Sequence, residues 1–233
     1  IGEAINDTDL IMVTVPASGH EQVLSQLAPH LSDGQTIILN PGRTAGALVG
    51  MRTLRRCGCA ANVTIAETQT IAYTCRKTSS YACSILSFKN HVELAALPED
   101  KTQRVLQILP PSLREHFCPG NLIRTSLGNV GMVLHCAPVL FNIGWIESPR
   151  TKFKYYYEAI TPSVAAFLEK LDNERLATAR KLGDNLPSVQ EWLRNCYGVC
   201  GRNLFESIQA NSAYAEIDAP KTIKHRYLFE DVP

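Results

Sequence analysis

The chain has 233 residues, 45 % hydrophobic and 19 % charged, with a formal net charge of +1. That length supports one large domain or two modest ones, and the composition is that of an ordinary globular protein. The near-zero charge speaks against a general nucleic-acid binder, which carries a basic excess, and no apolar run reaches the roughly 18–20 residues that span a bilayer.

The opening IGEAINDTDL has neither the basic nor the apolar region of a signal peptide. Eight cysteines, Cys57, Cys59, Cys75, Cys83, Cys118, Cys136, Cys196 and Cys200, are scattered without a C-x-x-C pair. A chain this long does not need disulfides, and the spacings do not suit zinc. The expectation is therefore idle thiols in a reducing cytoplasm and no metal. Ile1 in place of an initiating Met, and a motif that closes on Pro233, lead us to expect a chain cut at both ends.

The first half alternates strand and helix signals. DLIMVTVP (9–16) is a short run rich in β-branched residues and reads as a buried parallel strand. His20 to Leu31 places Val23, Leu24, Leu27 and Leu31 on one helical face. QTIILNP is a second strand, and the stretch from Gly46 to Arg56, with Leu48, Met51 and Leu54, a second helix. NVTIAET (62–68) is a third strand. Such alternation implies right-handed crossovers and a parallel sheet covered on both faces. Two further strands are expected at Tyr81 to Phe88 and Val92 to Leu97, then a short helix from Thr102 to Leu109.

The second half changes character. Leu122 to Asn142 is long and apolar, with His135 near a helix end. Thr161 is placed to cap a helix with Pro162 at its first position and Gly183 just past its end. Val164, Phe167, Leu168, Leu171, Ala179 and Leu182 form its apolar stripe. VQEWLRNCYG and NLFESIQAN read as shorter helices. The expected organisation is α/β over residues 1–120 and all-α over 121–233, with the boundary near Gly120.

Parallel α/β sheets bind ligands at the carboxyl ends of their strands. Three such ends carry unusual residues: VPASGH, NPGRT and AETQT. Asn40-Pro41-Gly42 reads either as a plain turn or as a ligand contact, and Glu67 either as a solvated charge or as part of a site. The G-x-G-x-x-G fingerprint is absent, which fits a missing first β-α-β unit and equally a domain that never bound a dinucleotide. His135, Asp231 and Arg226 supply the types an acid–base enzyme needs: a group titrating near neutrality, an orienting carboxylate and a cation. Against that, a lone His on an apolar helix is more often a core residue, and Arg226 with Asp231 also reads as a surface ion pair. Nothing in their spacing brings the three together.

Six segments, taken in order, resemble the octopine/nopaline (opine) dehydrogenase family, most closely its bacterial N-(1-D-carboxyethyl)-L-norvaline dehydrogenase branch. They are DLIMVTVPASGHE, GQTIILNPGRTAGAL, VTIAETQTIAYTCR, TSLGNVGMVLHCAPVLFN, YYYEAITPSVAAFLEKLDNER and RYLFEDVP. The resemblance implies a partial Rossmann-type domain, then an α-helical substrate domain of the 6-phosphogluconate dehydrogenase-like kind, with the active site in the cleft between. It implies NAD or NADP as cofactor, a 2-oxo acid and an amino acid as substrates, and a homodimer through the α-domain. By the same resemblance, His135 is the acid/base, Asp231 orients it and Arg226 holds a substrate carboxylate. Pro16, Asn40, Pro41 and Gly42 would lie along the cofactor, Glu67 and Thr68 near the nicotinamide, and Asn129 near the substrate. The chain departs from the family pattern in lacking the glycine fingerprint and the helices after the E-D segment, and in having Cys136 where Pro is expected. A C–O dehydrogenase of the same architecture stays open, although TSLGNVGMVLH has no Lys, and so does an inactive remnant.

Overall fold

In the computed structural model, residues 1–231 are described; Val232 and Pro233, which end the RYLFEDVP segment, lie outside them. The described strands are β1 (Leu10–Val13), β2 (Thr36–Leu39), β3 (Thr64–Thr68), β4 (Tyr73–Lys77), β5 (Cys83–Phe88), β6 (Val92–Leu97) and β7 (Phe117–Pro119). The chain divides into two compact units, residues 1–72 with 91–129 and residues 73–90 with 130–233. The first unit runs on to Asn129, past the boundary expected near Gly120. The helix Leu122–Leu127 stays with the sheet because Thr125 and Ser126 bond to Glu67 on β3.

The first unit is built on a five-stranded sheet of order β1-β2-β3-β6-β7. β1, β2 and β3 run parallel, in the register Leu10–Thr36–Thr64, as alternation of strand and helix requires. β6 is antiparallel to β3, which adds one antiparallel pairing to the expected parallel sheet. The reason lies in the connection: a parallel return needs a long crossover, whereas the segment after β3 is an antiparallel hairpin, β4–β5. β2 is buried along its whole length, and Ile37, Leu39 and Ile65 meet Leu24, Leu27 and Leu54 in one core. Leu24, Leu27 and Leu54 come from the helices His20–Leu27 and Gly46–Arg56 that cover the sheet. The first helix stops at Leu27 instead of Leu31 because Pro29 has no amide to continue it, and a tight turn, Ala28–His30, takes over. Leu48 is half-exposed, so the stripe of the second helix is narrower than its spacing suggests.

The second unit contains the hairpin β4–β5 as well as helices. β4 was not anticipated, and β5 begins at Cys83, not Tyr81, which is almost fully exposed. The hairpin is held by a Thr74–Tyr197 hydroxyl pair at 2.8 Å and by Asn90 N–H donating to the Cys196 carbonyl at 3.1 Å. The helices enclose a core that includes Tyr155, Ile160, Leu168, Leu193 and Ile208.

The helix Pro162–Lys181 starts as expected: the Thr161 hydroxyl accepts from Val164 N–H and Pro162 opens the first turn. It ends at Leu182 with Gly183 in the left-handed region at φ +91°. Leu168 and Ala179 are buried, but Phe167 and Leu182 are exposed. Part of the buried face is ionic instead: Asp172 and Arg175 pair inside the unit. The helix Val189–Tyr197 carries a full capping box between Ser188 and Glu191 and ends on Gly198.

The long apolar stretch Leu122 to Asn142 is not one helix but three, Leu122–Leu127, Gly131–Leu134 and Cys136–Phe141. Pro138 cannot donate to the Leu134 carbonyl four residues before it. The Tyr155 hydroxyl occupies that carbonyl at 3.3 Å and the next one, of His135, at 2.6 Å. His135 therefore sits at a break between two helices, with φ −107° and ψ −56°. The eight cysteines are free thiols. Among the described residues no helix is long and apolar enough to cross a membrane, and no group of three His, Cys, Asp or Glu could hold a metal ion.

Candidate active site

The residues singled out in the sequence fall into two groups, one in each unit. In the first unit, the carboxyl ends of β2 and β3 are laced together. The Asn40 side-chain oxygen accepts from the Thr68 hydroxyl at 2.8 Å, and Gly42 N–H donates to the Thr68 carbonyl at 3.0 Å. Gly42 is packed so closely on Glu67 that a Cβ added there would collide with the Glu67 side chain. Arg43 and Ala45, at φ +61° and +58°, turn the chain into the helix Gly46–Arg56.

Glu67 is wholly buried. Its carboxylate accepts from Ala47 N–H at 2.6 Å, the Thr125 hydroxyl at 2.5 Å and the Ser126 hydroxyl at 2.9 Å. Burial pushes its carboxyl above the ordinary value, while the Thr125, Ala47 and Ser126 donors pull the other way. Glu67 is thus an internal tether for the turn, not a side chain turned to solvent. Asn129 joins this first group, its oxygen accepting from Arg43 Nη1 at 3.2 Å. Pro16, beyond the end of β1, is exposed and is not tied into the cluster. Pro41 follows Asn40 through a cis peptide bond.

The second unit brings His135 and Asp231 together across 96 positions. His135 Nδ1 lies 2.8 Å from Asp231 Oδ2. The Asp231 side chain is fully enclosed, and that of His135 is 14 % exposed. The imidazole stacks on Tyr227 at 3.9 Å with an interplanar angle of 11°. Its other nitrogen, Nε2, lies 3.1 Å from the Tyr156 hydroxyl. The Tyr156 ring is itself stacked on Tyr214 at 4.0 Å. Burial drives the Tyr156 hydroxyl well above its ordinary range, so it keeps its proton; nearby Arg76 acts weakly in the opposite sense.

Arg226 opens the short helix Arg226–Phe229 and is exposed, its guanidinium 5.8 Å from the Tyr227 ring centre. Its charge, after burial, holds the adjacent His225 below the ordinary histidine value. Arg226 makes no ion pair among the described residues; the carboxylate the sequence offered it, Asp231, is directed at His135.

Sequence reasoning missed Tyr156, Tyr155 and Tyr227. All three stood in recognised segments, YYYEAITP and RYLFEDVP, but nothing in spacing pairs an aromatic residue with a histidine 20, 21 or 92 positions away. Arg43, Thr125 and Ser126 were missed for the same reason.

This arrangement, a histidine with an enclosed carboxylate on one nitrogen and an exposed arginine nearby, is equipped for proton transfer beside an anion. Residues 118–233 match the family model described as NAD/NADP octopine/nopaline dehydrogenase, alpha-helical domain. The opine dehydrogenase of Arthrobacter sp. (strain 1C) is 40 % identical over 232 residues, covering 100 % of this chain and 64 % of that protein. The protein ocs of Agrobacterium tumefaciens (strain Ach5) is 27 % identical, covering 98 % of this chain and 63 % of its own length. The chain therefore spans less than two thirds of the length of these relatives. Among solved structures, octopine dehydrogenase with NADH and L-arginine superposes with a TM-score of 0.73 at 18 % identity, covering 97 % of this chain and 62 % of that one. The fold is thus that of a Rossmann-type α/β unit with a helical partner unit, and residues 118–233 are an alpha-helical domain of the octopine/nopaline dehydrogenase family.

Proposed function

We propose that the protein carrying this chain is an opine dehydrogenase, which joins a 2-oxo acid such as pyruvate to the amino group of an amino acid through an imine. The observation that carries this reading is the His135–Asp231 pair, 2.8 Å apart with the carboxylate fully enclosed. An enclosed carboxylate on Nδ1 fixes the ring and favours the imidazolium, which suits a group that takes a proton and returns it. His135 accepts a proton from the substrate ammonium, freeing the amine to attack the oxo carbon. Loss of water then gives the imine. Arg226 holds a substrate carboxylate in a bidentate fork, and the family resemblance gives Asn129 a substrate-binding role.

The residues present fit one end of a nicotinamide dinucleotide. Asn40, Pro41, Gly42 and Thr68 crowd the carboxyl ends of β2 and β3, and Pro16 lies exposed beyond the end of β1, where this fold binds such ligands. Glu67 contributes from beneath by holding the turn. NAD(P)H, when bound, supplies the hydride that reduces the imine carbon. The choice between NAD and NADP has precedent both ways, since one solved relative carries NADH and another, yersinopine dehydrogenase, NADP+. The free thiols fit a cytoplasmic location, and the family reading carries a homodimer with it.

The test is oxidation of NADH and of NADPH by the full-length protein, with pyruvate and a panel of amino acids. Oxidation that requires both the oxo acid and an amine establishes reductive condensation. Oxidation with the oxo acid alone assigns a C–O dehydrogenase instead, and no oxidation with any pair sinks the activity.

A further inference from the structure

We propose that Tyr156 is a positioning residue for His135, its hydroxyl donating to Nε2 and fixing the neutral ring as the Nδ1–H tautomer with its basic lone pair on Nε2. The proposal rests on the acid–base role given to His135 above, but its geometry stands independently.

An ionised carboxylate only accepts, so Nδ1 must donate to Asp231 across their 2.8 Å contact. A neutral imidazole has one proton, and Nε2 is then an acceptor. The hydroxyl 3.1 Å away must donate. Tyr156 is held to this duty by its surroundings. Its ring is stacked on Tyr214 at 4.0 Å and meets Tyr155 edge-on at 5.0 Å. The hydroxyl has no second hydrogen-bond partner among the described residues. If it turned to accept from a protonated Nε2, its own proton would be left buried and unpaired. The hydroxyl therefore favours the neutral ring, and Asp231 favours the charged one.

The remaining groups around the imidazole do not duplicate this contact. Tyr227 covers its face, and Tyr155 bonds to the His135 carbonyl. His225 lies within electrostatic reach of His135, and Arg226, Arg76 and Glu230 act on His225. Tyr156 and Asp231 bond to opposite nitrogens of the ring. Asp231 is fully enclosed, whereas His135 keeps some exposure. A substrate N–H that reaches Nε2 thus changes places with the Tyr156 hydroxyl. Its proton passes to Nε2 and the Nδ1–Asp231 bond is kept. Until then the hydroxyl keeps the base satisfied and correctly tautomerised.

The test is an NMR titration of the histidine Cε1–H signals of this chain, with His135→Gln assigning the resonance. Tyr156→Phe is expected to raise the His135 midpoint by about 0.4–1 pH unit, the equivalent of one hydrogen bond. Tyr157→Phe, whose hydroxyl instead donates to the Asn211 carbonyl at 3.2 Å, is the control and leaves it in place. An unchanged or lowered midpoint in Tyr156→Phe overturns the proposal. Should that variant not fold, ring 15N shifts of the wild-type chain decide: a bare, hydrogen-bonded Nε2 supports it and an Nε2–H tautomer overturns it. Neither readout uses catalysis, so a failed opine assay and a failed Tyr156 assignment are told apart. In an active full-length enzyme, Tyr156→Phe moves the acid limb of kcat/KM upward and leaves cofactor affinity unchanged.

Discussion

Glu67→Ala removes the acceptor that ties β3, the Gly46–Arg56 helix and the Leu122–Leu127 helix together. The three donors it abandons are not equally stranded. Ser126 keeps its bond from Ala45 N–H at 2.9 Å, and Thr125 falls back on the Asn121 carbonyl at 3.3 Å. Ala47 N–H, in the first turn of its helix and wholly buried, has no substitute. One orphaned buried donor costs about 1–3 kcal/mol and each weakened hydroxyl bond about 0.5–1.5. The total destabilisation of the first unit is then about 2–6 kcal/mol. Glu67→Gln keeps an oxygen for Ala47 and offers its amide to a hydroxyl, so it costs about 1 kcal/mol or less at low pH.

The pair also predicts a pH dependence. Burial raises the Glu67 carboxyl above 4.5 in the folded chain. The folded state therefore binds this proton more tightly than the unfolded one. The associated stability is complete below about pH 4.5 and is lost as the pH rises through the folded value. Glutamine does not ionise, so Glu67→Gln gains on the wild type from pH 4.5 upward. The assay is denaturant unfolding followed by far-UV circular dichroism across pH 4.5–8, with hydrogen exchange at Ala47. Parallel wild-type and Glu67→Gln curves, or an Ala47 amide no faster in Glu67→Ala, would refute the reasoning.

Arg175→Ala is expected to destabilise the second unit by about 3–5 kcal/mol, because it leaves the buried Asp172 carboxylate with Val189 N–H but without its cation. A lower urea midpoint in Trp192 fluorescence is the readout. Gly42→Ala forces a methyl into the Glu67 side chain and costs about 1–3 kcal/mol, with weaker nucleotide binding measured by fluorescence quenching. In the full-length protein, His135→Ala lowers kcat by about 100-fold or more while the cofactor Kd survives. Equal loss of cofactor affinity would assign His135 a binding role. Arg226→Lys raises KM for the carboxylate substrate more than it lowers kcat, since an ammonium does not reproduce the two-pronged contact.

What could be read in the sequence is what local chemistry decides. β1, β2 and β3 and the two helices between them follow from apolar period and from the turns that end them. Thr161, Pro162 and Gly183 marked a helix because caps act on their nearest neighbours. What could not be read depends on distant partners. The antiparallel β6 follows from the hairpin, and β4 is polar enough at Arg76 and Lys77 to escape notice. The helix end expected near His135 is there, but its cause, Pro138 with Tyr155 on the freed Leu134 carbonyl, is visible only in coordinates. The chemical types of His135 and Asp231 were legible, and family resemblance paired them. Tyr156 and the inward direction of Glu67 needed coordinates, because no periodicity records a contact across 21 or 58 positions.

The hairpin also sets an order of events in time. Thr74 is bonded to a residue 123 positions further along the chain. At roughly 5–20 residues per second of synthesis, β4 waits about 6–25 s for Tyr197 to be made. Over that interval Ile85, Leu86 and Phe88, which stay partly exposed even in the finished protein, lie on a hairpin without its Tyr197 anchor. The sheet before and after the hairpin can assemble meanwhile around an open loop. A nascent chain stalled anywhere short of Tyr197 therefore displays this strand pair, and that is where a chaperone or a neighbouring nascent chain would find it.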